Sequence, residues 1–152
     1  LGLILFLNFS RSGPLGFLGL LFTPGLISFG QALLITPIIV SFTTSAIEAI
    51  DLDLRDLART LGSSELDASI AILKEASNGV ILAVLAGFNR AFAELGVAMM
   101  VGGNIYGYTR LLTTTIALET SKGEIPLSIA LGVILVGIVY ALNITISYLR
   151  KR

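Results

Sequence analysis

An all-α membrane protein, a polytopic helical bundle, is the fold class this sequence predicts, on three observations. The 152 residues are 55% hydrophobic and only 13% charged, with a mean hydropathy of +0.92, far more apolar than a typical soluble domain. Charges vanish over long stretches: 36 positions between Arg11 and Glu48, and 25 from Ile125 to Leu149. One long passage alone, Asp56 to Ala76 (DLARTLGSSELDASIAILKEA), is amphipathic.

The elements follow in chain order. Leu1 to Phe9 (LGLILFLNF) is an apolar run, too short to span a bilayer, which takes roughly 20 residues. It lacks the positively charged start of a signal peptide, and with Leu at position 1 the chain reads as a fragment lacking its N-terminal part. The uncharged stretch after Arg11 would form a helix of about 54 Å, against a hydrocarbon core of about 30 Å, so it must be broken. Pro14, Gly16, Gly19, Pro24 and Gly25 punctuate its first half. The span itself is therefore placed at residues 26 to 47, with Pro37 kinking it. A second span runs from Ser77 to about Val101, and a third from Ile125 to Leu149. The closing Arg150, Lys151 and Arg152 place the C-terminus in the cytoplasm by the positive-inside rule. Counting back puts residues 48 to 76 inside and 102 to 124 outside. Six basic residues then lie inside, and Arg11, Arg110 and Lys122 outside. The chain reads as one transmembrane domain without internal repeats.

Composition excludes several functions. There is no Cys and no His, which removes disulfides, thiolate chemistry, the usual zinc and iron ligand sets and any Ser-His-Asp or Cys-His arrangement. Ten basic and ten acidic residues cancel, and no basic cluster interleaves with aromatics, so nucleic acid is dropped as a partner. Lys74, Lys122 and Lys151 lie outside the spans and no intramembrane Asp pair exists, which leaves little for an intramembrane enzyme. Gly102, Gly103 and Gly107 in VGGNIYGYTR form neither GxGxxG nor GxxxxGK[ST], so no nucleotide site is expected. Asn143-Ile144-Thr145 and Asn8-Phe9-Ser10 match the glycosylation pattern by chance, since both fall in or at apolar segments. Asp51, Asp53 and Asp56 read as a solvated helix face, with no metal assigned to them.

In the inner passage, Leu54, Leu57, Ala58 and Leu61 recur at i, i+3, i+4 and i+7, one face of a short helix that Gly62 ends. Ser64 offers an N-cap to a second helix with an apolar stripe of Leu66, Ile70 and Leu73. A linker lying on the bilayer surface would favour Lys and Arg. Residues 48 to 76 instead carry seven acids against three bases, which fits docking against another protein.

These residues resemble a known family. DLARTLG is similar to the EAA loop of ABC-importer permeases (Glu-Ala-Ala, three residues, Gly, nine residues, Ile-x-Leu-Pro). Asp56 stands for the Glu, Leu57 and Ala58 for the two Ala, Gly62 for the Gly and Ile72 for the Ile. Lys74 and Glu75 replace the Leu and Pro, as in the LKEA-like endings of the tungstate-type branch. The resemblance continues through GFNRAFAELG and MMVGGNIYGYTRLLTTTIALETSKG and covers about residues 13 to 152. It implies a permease of the MetI-like type that homodimerises in the lipid of the cytoplasmic membrane. Asp56, Leu57, Ala58, Leu61 and Gly62 would form the coupling helix that seats in an ABC ATPase subunit. ATP and Mg would be bound there, with no cofactor in this chain. An extracytoplasmic solute-binding protein would deliver the cargo to an outer gate in residues 102 to 124, with Gly103, Asn104, Thr109 and Arg110 as its candidate residues. The cargo implied is tungstate, with molybdate, sulfate or phosphate as alternatives.

Arg90 and Glu94 fall inside the second span, four apart, so they share a helix face and partly neutralise each other. A lone charge at mid-bilayer costs about 2.5 to 3.5 kcal/mol, so the pair should face protein or water. It either locks helix packing or offers positive potential to a passing oxyanion, with Glu94 moderating the charge. A proton relay is less favoured, because a carboxylate paired with Arg is a poor proton carrier near neutral pH. Two other classes compete with the importer: a secondary transporter or channel using Arg90 and Glu94, and an inert membrane anchor.

Overall fold

A computed structural model describes residues 1–50, 66, 70 and 74–150, the side chains of 149 and 150 excepted. Among the described residues every regular element is helical. They are α1 (Gly2–Phe9), a 3-10 turn (Gly16–Leu18), α2 (Pro24–Glu48), α3 (Ser77–Phe92), α4 (Gly96–Gly102), α5 (Leu112–Ser121) and α6 (Ile125–Arg150). Two compact units can be distinguished: Leu1–Ile35 with Asn89–Arg152, and Thr36–Phe88.

The long helices begin and end where the sequence changes character. Pro24 occupies the first turn of α2, where its missing N–H costs nothing. The preceding Thr23 accepts the Leu26 N–H at 3.4 Å and anchors its own hydroxyl on the Leu20 carbonyl at 2.6 Å. Glu48, the first charge after Arg11, closes the helix. Pro37 lies inside α2, immediately after the boundary between the two units at Ile35 and Thr36. Helix α6 runs 26 residues, about 39 Å, enough to cross a hydrocarbon core. Among the described residues two helices are thus long and apolar enough to span a membrane, and a third span exists if α3 and α4 are counted together.

That third span departs from expectation. Residues 77 to 101 read as one continuous helix in the sequence, but α3 stops at Phe92 and α4 starts at Gly96, with a bend of 57° between them. In the outer segment the glycine-rich stretch forms turns, as expected, and a further helix, α5, follows it, which the sequence had not indicated. Thr114, buried at its start, accepts the Leu111 N–H at 2.9 Å, and Thr115 bonds the Leu111 carbonyl at 2.7 Å.

In the first unit the core joins Leu5 and Phe9 of α1, Leu26 and Ile27 of α2, and Val97, Ala98 and Val101 of α4. Gly30 makes this packing possible: a Cβ there would lie 2.6 Å from Val97 Cγ1 and 2.9 Å from Leu5 Cδ1. Small residues at helix contacts are what membrane packing requires, since lipid tails give helices no hydrophobic reason to associate. Helix α5 folds back on α6. Outward residues of α6 such as Val133, Val136 and Ile144 are exposed, as suits a surface meeting lipid or further protein. In the second unit Gly79 of α3 packs directly on Ala46 of α2.

Candidate functional site

The break between α3 and α4 concentrates the polar chemistry of the first unit. Arg90 sits in the last turn of α3, and Glu94 lies in the break. One carboxylate oxygen of Glu94 forms an ion pair with Arg90 Nη2 at 3.0 Å; the other accepts the Val97 backbone N–H at 3.0 Å. Glu94 therefore fastens the end of one half-helix to the start of the next. The expected pair exists, but not on the face of one continuous helix. Its acid serves as a capping group, satisfying a donor that the first turn of α4 leaves orphaned. A negative charge is also favoured at a helix start. Glu94 is 8% exposed, whereas the Arg90 side chain is 43% exposed. A guanidinium carries five donors, so this half-exposed cation retains some beyond its contact with Glu94.

Next to Arg90, Asn89 reaches across to α6. Its amide donates to Asn143 Oδ1 at 3.0 Å, and Asn143 returns a bond to Asn89 Oδ1 at 2.9 Å and donates to the Val139 carbonyl at 2.7 Å. This reciprocal amide pair borders a largely apolar cavity of about 480 Å³ lined by Phe92, Val139 and Tyr140 among others. Reading the sequence missed the pair. Asn143 had stood out only as a chance glycosylation match, and the usable signal was one Asn in each of two spans, since an isolated amide in lipid needs a partner.

The outer loop is built around backbone turns. Gly103 ends α4 in the left-handed region at φ +67°, its N–H bonded to the Met99 carbonyl. Asn104 follows at φ +50°. The Ile105 carbonyl collects the N–H groups of Tyr108, Thr109 and Arg110. Thr109, expected as an outer contact, is 1% exposed. Its hydroxyl accepts the Ile105 N–H and donates to the Gly102 carbonyl. It ties the loop to α4 and offers no surface of its own, because a threonine here satisfies buried backbone groups that would otherwise go unpaired. Arg110 lies over the Tyr106 ring at 5.1 Å and reaches the Asn104 carbonyl at 3.4 Å. Its Nε and Asn104 Oδ1 are buried without partners among the described residues. The coupling positions Asp56, Leu57, Ala58, Leu61 and Gly62 lie outside the described residues. Leu66 and Ile70, two positions of the second inner stripe, are helical and exposed.

Two or three candidate spans among the described residues, one of them broken, define a polytopic helical membrane protein, and relatives narrow the class. No protein-family model matches the chain, and no solved structure matches it. Three curated proteins do. The chain is 41% identical over 156 residues to a "Probable anion ABC transporter permease protein" of Haloferax volcanii, covering 99% of this chain and 67% of that protein. It is 39% identical over 150 residues to proteins named "Tungstate uptake system permease protein TupB" of Peptoclostridium acidaminophilum and Campylobacter jejuni. Those alignments cover 99% of this chain and 66% and 63% of the two relatives. The chain thus spans about two thirds of the length of the proteins it matches. It belongs to the family of ABC transporter permeases, the membrane subunits of such transporters.

Proposed function

We propose that the chain belongs to the membrane-spanning subunit of an ATP-driven importer that passes an oxyanion, tungstate first, across the cytoplasmic membrane. The observation that carries this reading is similarity along 99% of the chain to two permeases named for tungstate uptake and one named for an anion. In this reading the chain performs no hydrolysis. A separate ABC ATPase holds ATP and Mg, an extracytoplasmic binding protein delivers the cargo, and two copies of the permease form the pathway. The acidic passage around Asp56, Leu57, Ala58, Leu61 and Gly62 docks on the ATPase, and the exposed Leu66 and Ile70 extend that apolar surface. Closure of the ATPases then tilts the spans as rigid bodies.

The break supports an anion pathway through its charge arrangement. Glu94 is committed to Arg90 and the Val97 N–H, while the half-exposed Arg90 keeps further donors suited to oxyanion oxygens. Partial neutralisation by Glu94 keeps the anion from being trapped. Gly103, Asn104 and Arg110 form the outer gate in this scheme, with Thr109 as its internal brace. Molybdate, sulfate and phosphate are the alternative cargoes, since all present tetrahedral oxyanion oxygens. The test is uptake in cells lacking the complete permease and complemented with it, tungsten being counted by mass spectrometry with and without each competitor. Tungsten uptake that only tungstate itself competes away supports the assignment. Equal uptake in uncomplemented cells, or preferential blockade by sulfate or phosphate, overturns it.

A further inference from the structure

Phe6, Phe9, Leu21 and Phe22 wall a cavity of about 520 Å³ in the first unit, and Ser10 and Arg11 give it a polar edge. The wall is held in place at a cost. Phe22 adopts φ +63°, a left-handed conformation that a bulky residue keeps only when its surroundings impose it, at about 1–3 kcal/mol. Here its N–H bonds the Val101 carbonyl at 2.8 Å. Its ring packs on Gly103, where a Cβ would come within 2.7 Å of Phe22 Cδ1. It also packs 6.4 Å from Phe6, centroid to centroid.

Among the described residues no acid compensates the charge at the edge. Residues 1 to 47 contain no acid. Among the described residues the ion pairs are Arg90 with Glu94 and Lys122 with Glu119, and Arg11 has no carboxylate within reach. Nor is Arg11 needed to cap α1. The Phe6 carbonyl takes the Ser10 N–H at 2.9 Å, the Asn8 carbonyl takes the Leu15 N–H at 2.9 Å, and the Ile4 carbonyl takes the Asn8 side-chain amide at 2.8 Å.

We propose that this cavity binds an anionic phospholipid, its phosphate on Arg11 and the Ser10 hydroxyl and one acyl chain against Phe6, Phe9 and Phe22. Apolar walls decide between lipid and a soluble oxyanion. They add nothing to the binding of a hydrated tetrahedral ion, whereas an acyl chain already out of water in the bilayer fills them by van der Waals contact with no apolar surface left wet. The outer residues of α1, Leu3, Ile4 and Leu7, are exposed and apolar beside the cavity, the surface that a bilayer covers.

The test uses the complete permease with its partner subunits in nanodiscs of phosphatidylcholine doped with phosphatidylglycerol, followed by native mass spectrometry of retained lipid. Phosphatidylglycerol should be retained over phosphatidylcholine. Arg11→Gln should reduce that preference by about tenfold, and Arg11→Lys should keep most of it. Thermal unfolding of the variants checks that the fold is intact, and Ser10→Ala provides a milder second variant with a smaller loss of preference. Equal retention of the two lipids, unchanged retention in intact Arg11→Gln, no retained lipid, or displacement of the lipid by millimolar inorganic phosphate or tungstate would each overturn the proposal.

Discussion

Replacing Glu94 tests whether the broken span is fastened by one carboxylate. In Glu94→Ala the Val97 N–H loses its acceptor, and Val97 is only 2% exposed, so water cannot replace it. An unsatisfied buried donor costs about 1–3 kcal/mol, in line with the loss of a helix cap at about 0.5–2 kcal/mol. The ion pair contributes less. With the Arg90 side chain 43% exposed, the Coulomb gain is screened and adds no more than about 1 kcal/mol. The sum for alanine is about 1–4 kcal/mol. Glu94→Gln keeps an acceptor for Val97 and loses chiefly the ion pair, about 1 kcal/mol. Equilibrium unfolding of the purified permease in mixed micelles, titrated with dodecyl sulfate, measures both. Glutamine should lower the folding constant by no more than about fivefold, and alanine by about 5- to 150-fold more than glutamine. Equal losses for the two variants would refute the capping role, and no loss in either would remove the fastening altogether.

Three further outcomes are expected. Asn89→Leu should destabilise the protein by about 1–2 kcal/mol because Asn143 loses its partner across the helices and keeps only its bond to the Val139 carbonyl, while Asn89→Leu with Asn143→Leu together should recover most of it; a double variant as unstable as the sum of both singles would contradict the pair. Gly103→Ala should cost about 1–3 kcal/mol in the same unfolding assay, since its φ of +67° and the Phe22 ring 2.7 Å from a new Cβ both oppose a side chain; unchanged stability would show that the turn relaxes freely. Leu57→Ala with Leu61→Ala should leave ATP hydrolysis running while uptake falls, measured in vesicles carrying the assembled transporter; unchanged transport would count against docking of the inner passage.

Span ends were legible because charges and prolines mark them. The expected residues 26 to 47 and 125 to 149 became Pro24–Glu48 and Ile125–Arg150, since hydropathy alone dictates where a chain can meet lipid. The break at Glu94 was not legible, because no proline lies between Ser77 and Val101. A carboxylate two residues before Gly96 ended the helix instead, by competing for the Val97 N–H, and such competition depends on a side-chain geometry that periodicity does not encode. Helix α5 was missed for a related reason. Its Thr113, Thr114 and Thr115 have weak helix propensity, yet the Thr114 and Thr115 hydroxyls bond the backbone at Leu111 and start the helix. Arg90 and Glu94 were recognisable as partners from their spacing of four. That Glu94 works mainly for the backbone emerged only from the position of its second oxygen.

The most direct measurement is tungsten uptake into proteoliposomes holding the complete permease with its ATPase, with binding protein outside and ATP either enclosed or omitted. Uptake that requires both enclosed ATP and external binding protein, and is indifferent to an imposed membrane potential, is the predicted result. Uptake that proceeds without ATP and follows the potential would instead make the chain part of a channel or secondary transporter.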